Sequence, residues 1–158
     1  MHLRHLYLAV FLGLVIVSCS PSLAVSPTMP VPTPTAQFNA SEEDLEAIQQ
    51  TALDYVEGWC EGNAERMERS LHPNLVKRTI RVNRVDTLSA EEMVSYTRQG
   101  AGKAFTGQKK NTVTILDVYN DIATVKVESA EYIDYLHIGK VNGRWVIINV
   151  LWTGKRTE

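Results

Sequence analysis

An Asn-Gly step at 142–143, set between apolar-rich runs at 132–141 and 144–152, commits this chain to an antiparallel hairpin. A two-residue type I′ turn needs positive φ at both positions, and Asn followed by Gly adopts it with little steric penalty. Upstream, the β-branched runs 112–118 and 122–130 flank a second turn, Tyr119-Asn120-Asp121. The last third of the sequence therefore predicts a β-meander.

Before the meander the apolar residues follow the helical period. Ser41 and Asp44 have the spacing of a capping box, with Asp in place of the usual Glu. Glu42, Glu43 and Asp44 set negative charge at the positive end of the helix dipole. Leu45, Ile48, Ala52, Tyr55, Val56 and Trp59 then fall on one stripe, and Gly58 and Gly62 mark its end. Asn63 can cap a short helix over 64–71, which Pro73 closes by disfavouring helical geometry at His72. Leu75 to Val85 suits a short strand or hairpin. Ser89, with Glu92, opens a third helix running to about residue 98, and Gly100, Gly102 and Gly107 loosen the loop after it. Helices first and antiparallel strands last predict an α+β layer.

The first 38 residues stand apart from this pattern. His2, Arg4 and His5 precede an almost unbroken apolar run, 6–17, which is shorter than the roughly 20 residues a spanning helix needs. It ends in Ile16-Val17-Ser18-Cys19, which resembles the lipobox of bacterial lipoproteins. The resemblance implies lipidation of Cys19, removal of 1–18, and an anchor on the outer side of the cytoplasmic membrane or at the outer membrane. Cleavage after Ser22-Leu23-Ala24 is the alternative and would release a secreted protein. Residues 20–38 hold five of the chain's six prolines and predict an extended, unfolded tether. With Cys19 lipidated or removed, Cys60 has no partner for a disulfide, and its place beside Trp59 predicts an inert thiol.

A net charge of -2 gives no bulk attraction to nucleic acid. No GxSxG, HExxH or CxxC motif occurs, and Gly100-Ala101-Gly102-Lys103-Ala104 lacks the spacing and the hydroxyl of a phosphate loop. No cofactor and no metal site are expected.

The order helix, short helix, strand, helix, long antiparallel strands resembles the NTF2-like superfamily. The stretches 55–59, 64–75 (AERMERSLHPNL) and 127–152 are similar to its SnoaL-like, "putative lumazine-binding" branch. The resemblance implies a cone over residues 39–155, with three helices from the N-terminal half packed on a curved, mostly antiparallel sheet. Such a cone leaves a pocket, and pattern and resemblance together nominate Tyr55, Trp59, His72, Glu131, Asp134, Tyr135, His137 and Trp152 to line it.

Each nominee has a plainer role. Tyr55 and Trp59 belong to a core stripe, and His72 can serve as a helix cap. Glu131 shares the parity of Val125 and Val127, but a strand ending by Ala130 would leave it in a solvated bend, and the sequence favours that. Asp134 and His137, three apart, fall on opposite faces of a regular strand. His72, Glu131 and Asp134 are the candidates for proton transfer. Lys77, Arg78, Arg81 and Arg84 read as a solvated strand face that discourages edge pairing, in preference to a contact with anionic lipid or glycan. Apolar residues of both parities in 145–152 predict cover on both faces of that strand, one from the helices and one from a second copy. The sequence thus predicts an envelope-tethered domain binding a small apolar molecule or a protein partner. A lyase- or isomerase-like enzyme and a ligand-free dimer module are the alternatives.

Overall fold

The computed structural model describes residues 39–105 and 111–155; the expected export segment, Cys19 and the expected tether to residue 38 lie outside the described residues. Helix α1, Glu42–Glu61, starts where Ser41 Oγ accepts from the Asp44 amide and stops at Gly62, whose φ of 69° suits glycine. Helix α2, Ala64–Ser70, is capped by the Asn63 side chain, which accepts from the Arg66 amide. Strand β1, Leu71–Arg81, follows at once and turns back into β2, Arg84–Ser89. Helix α3, Ala90–Arg98, opens with a full capping box between Ser89 and Glu92. Strands β3 (Thr112–Tyr119), β4 (Ile122–Glu128), β5 (Tyr132–Val141) and β6 (Arg144–Gly154) complete the domain.

The strands form one sheet in the order β2-β1-β6-β5-β4-β3. β1 and β6 run parallel, while every other neighbouring pair is antiparallel. Register breaks in the pairings of β1, β3 and β6 supply local bends, the usual effect of an extra residue in a ladder. Pro73 falls within the β1 irregularity, where a missing amide donor is tolerated. The three helices pack against this sheet, and Ile48, Met67, Leu75, Val125, Val127, Leu136, Ile138, Ile147 and Val150 are almost wholly withdrawn from water. Each such aliphatic side chain contributes about 1.5–3 kcal/mol on burial.

Three boundaries depart from the sequence reading. The second helix ends at Ser70 with Leu71 as its cap, so His72 lies in a strand rather than at a helix end. The basic stretch forms a complete hairpin reaching Ser89, turning at Val82 and Asn83, both at positive φ. Valine is β-branched, and the left-handed region costs it about 1–2 kcal/mol. In β6, Ile148 is the extra residue opposite the step from His137 to Ile138. That bulge, more than a need for cover on both faces, explains the mixed parity: Trp145 and Ile147 face the helices before it, Val150 and Trp152 after it.

The start of α1 is tied to the β5–β6 hairpin. Asp44 Oδ1 accepts from Lys140 Nζ and from Trp145 Nε1, each at 2.8 Å. These bonds, Lys140 foremost, bring the Asp44 carboxyl down to about 2. Between α1 and α2, buried Asp54 accepts from Arg66, Arg69 and Gln50. Burial alone would raise its pKa, but these partners outweigh that and lower it.

Candidate ligand-binding site

Where α1 crosses the sheet, the helices and strands enclose a cavity of about 220 Å³. Its floor is polar. Tyr55 comes from α1, Lys77 from β1 and Asp134 from β5, and all three are buried. The Tyr55 hydroxyl donates to Asp134 Oδ1 at 2.8 Å. Lys77 Nζ donates to the same oxygen at 2.8 Å and also to the Tyr55 hydroxyl. The walls are aromatic and aliphatic: Trp59, Trp152, Tyr132, Met93, Val56 and Leu88. Tyr132 and Trp152 meet edge to face at 5.2 Å, and the Lys77 ammonium stands 4.9 Å from the Trp152 ring centre. Ser129 and Arg81 complete the lining, and the Arg81 side chain, 60% exposed, marks the way out to solvent.

The floor is not fully satisfied by protein. Two Lys77 donors are engaged, leaving the third N–H of the ammonium available. Asp134 Oδ2 takes no hydrogen bond, yet no buried side-chain oxygen or nitrogen among the described residues is sealed without a partner. Oδ2 is therefore reachable from the cavity. Tyr55 is different. Burial first, then the charge and hydrogen bond of Asp134, push its hydroxyl well above the ordinary phenol value, so it stays protonated and keeps donating. The cavity thus presents one donor, one acceptor and flat aromatic walls.

Of the nominated residues, Tyr55, Trp59, Asp134 and Trp152 meet in this cavity. The remaining four do not, and the set has to be redrawn. Tyr135 and His137 lie on the outer face of β5, because strand alternation turns them away from Asp134. Glu131 sits exposed in the bend that Ser129 and Tyr132 close, since β4 ends at Glu128. His72 lines a separate surface groove of about 560 Å³ with Glu65, Arg69 and Arg144, and its Nδ1 accepts from the Asn74 amide. Lys77 and Arg81, read from sequence as a solvated face, are the charged cavity residues that reading missed, and Val56, Leu88, Met93, Ser129 and Tyr132 were not nominated either; Arg78, on the other parity, is exposed. Among the described residues no group of three or more His, Cys, Asp or Glu is placed to hold a metal.

The model of the family described as "Putative lumazine-binding" matches residues 43–153. The chain belongs to this family. Its cone is NTF2-like by comparison with solved structures as well. An NTF2-like protein of unknown function from Silicibacter pomeroyi is 17% identical with a TM-score of 0.60, covering 73% of this chain and 99% of that one. A domain of unknown function with a cystatin-like fold from Nostoc punctiforme is 16% identical with a TM-score of 0.57, covering 75% and 81%. A ketosteroid isomerase-like protein from Erwinia carotovora atroseptica is 12% identical with a TM-score of 0.52, covering 74% and 100%. At these identities the likeness establishes the fold alone. Among curated proteins none matches.

Proposed function

We propose that this member of the "Putative lumazine-binding" family binds a small, flat, conjugated molecule in its cone, oriented by Lys77 and Asp134. The observation that carries this reading is the buried Lys77–Asp134 pair at the cavity floor, with one donor and one acceptor left open. A buried ion pair is seldom the most stable filling of a core, since apolar residues of similar volume serve as well or better. Its placement beneath aromatic walls points to recognition. A cyclic amide or ureide edge, an N–H beside a carbonyl, would donate to Asp134 Oδ2 and accept from Lys77 while its ring lies along Trp152. The sequence reading expected a small apolar molecule or a protein partner, and the polar floor adds a polar edge to that small molecule. About 220 Å³ corresponds to roughly seven water volumes at about 30 Å³ each, so the occupant is small. The family description names lumazine, a bicyclic dione with such an edge, and it is the natural first probe. Proton transfer is the weaker reading, because Tyr55 holds its proton and neither His72 nor His137 reaches the floor.

The test is calorimetric titration with lumazine-type diones alongside saturated hydrocarbons of similar size. Binding of the diones that disappears in Lys77→Met/Asp134→Leu is the expected result. Equal binding by that variant, or preference for the hydrocarbon, would remove the proposal.

The export reading also stands as a proposal: acylation of Cys19 tethers the domain to the cell envelope. Its support is the apolar run ending in Ile16-Val17-Ser18-Cys19. Metabolic labelling with a fatty-acid analogue, lost in Cys19→Ser, tests it; a mature chain starting at Val25 would refute it. We further propose a homodimer through the uncovered outer face of the sheet, where Tyr135 and Leu151 are exposed. Sedimentation should show a dimer that Leu151→Glu dissociates, and a wild-type monomer at every concentration would exclude it.

A further inference from the structure

The end of the β1–β2 hairpin breaks two local rules of sequence at once. Val82 occupies a left-handed turn position, φ 42°, that β-branched residues avoid, and it is 97% exposed, so no burial offsets the strain. Arg81 and Arg84 are directly opposed across the ladder, a like-charge pairing that opposes hairpin formation, with Asp86 as the carboxylate between them. The two faces of the tip are also unlike each other. Ile80 and Val85 pair across the strands and are 70% and 58% exposed, so with Val82 they form an aliphatic knob. Arg81 and Arg84 take the other face. Asp86 offsets the charge pairing, and the Arg81 guanidinium lies 5.8 Å from the Trp152 ring centre, but nothing inside the fold offsets Val82, and such a position is where an external contact is expected.

We propose that this hairpin tip docks on an anionic lipid surface, with Val82, Ile80 and Val85 entering between the headgroups and Arg81 and Arg84 lying at the phosphate level. Area and shape favour lipid over protein. Three aliphatic side chains on a protruding turn fall far short of the roughly 1,000 Å² that a stable protein interface buries. A convex apolar tip flanked by long basic side chains suits a bilayer boundary, where arginine stems lie in the apolar layer and guanidinium groups reach the phosphates. Arg81 also lines the cavity exit, so docking turns that exit towards the surface. The inference does not depend on what the cavity holds.

The test uses the full-length chain carrying Cys19→Ser and Cys60→Ser, with Val82→Cys bearing an environment-sensitive fluorophore. The same label at Asn142→Cys, on the opposite end of the sheet, is the control. Reconstitution in phosphatidylglycerol-rich vesicles should shift the Val82 label to the blue relative to phosphatidylcholine vesicles and leave the Asn142 label unchanged. Arg84→Gln should lower the inserted-to-free ratio about fivefold, the factor for one basic residue near an anionic surface. In the unlabelled full-length protein, Val82→Gly should raise the unfolding temperature while weakening protection of the tip from hydrogen exchange by anionic vesicles. No shift, an equal shift at both labels, a shift that grows with protein concentration without lipid, or a Val82→Gly variant that keeps full vesicle protection would each overturn the proposal. The concentration-dependent outcome would point to a second copy as the occupant instead.

Discussion

At the residue scale the molecule turns on Lys77. It is buried against Asp134 and Tyr55, and removing one member of such a pair leaves the other without compensation. Lys77→Met should therefore destabilise the domain by about 3–5 kcal/mol. Adding Asp134→Leu should recover most of that loss, because the second substitution removes the orphaned carboxylate; urea unfolding of both variants measures it. A double variant as unstable as the single would mean that the pair holds the core together rather than waiting on a ligand. Tyr55, Trp59, Asp134 and Trp152 were legible beforehand, the first two from the helical stripe and the strand residues from pattern together with the family resemblance. Lys77 was not, since the apolar residues of its strand, Leu75, Val76 and Ile80, divide between both parities and name no inner face. Only pairing with β2 and β6 decides which way such a strand turns.

At the scale of elements, two joints hold the cone. One is the clamp of Asp44 on Lys140 and Trp145, which fixes the start of α1 to the far hairpin. Its carboxyl lies near 2 in the fold against an ordinary 3.8, so the unfolded chain takes up the proton first as pH falls. The stabilisation is fully present above 3.8 and is lost as pH drops from there towards 2. Asp44→Asn should flatten the fall of unfolding free energy across that window without abolishing it, because Asp54, Glu92 and Glu128 are lowered too. Denaturant titrations at several pH values check it. The other joint is the bulge at Ile148. Deleting that residue would throw Val150 and Trp152 to the outer face, since a one-residue slip reverses every side chain beyond it. A loss larger than any single core truncation, about 2–5 kcal/mol, is expected, read from thermal unfolding. The Asn142-Gly143 hairpin was plain in the sequence because its residues are made for the turn. Over Leu75 to Val85 a hairpin was one of two open readings, but its turn at Val82-Asn83 was hidden, because valine signals a strand interior, and the bulge left no mark except apolar residues of both parities.

At the scale of the whole molecule, the sequence announced an α+β cone with helices on a curved sheet, and the family match and solved relatives agree. Hidden from it was the parallel placement of β1 beside the last strand, which alternation and turn chemistry do not encode. That placement governs when folding can happen. The cavity floor joins residues 79 and 57 positions apart, and Thr51 bonds to the carbonyl of Trp145 at a separation of 94. A chain truncated after Val141 should show little amide protection in α1, although every residue of that helix is present; hydrogen exchange on the truncated and whole chains tests this. With β6 central in the sheet, the β1–β2 hairpin and the β3–β4–β5 ladder can pair within themselves but join into one sheet only through residues 144–154. At about 5–20 residues per second of synthesis, the helices and the five other strands are all made before this keystone strand emerges. The order of the letters thus acts as a delay, keeping the two halves of the sheet apart until the strand that joins them has been made.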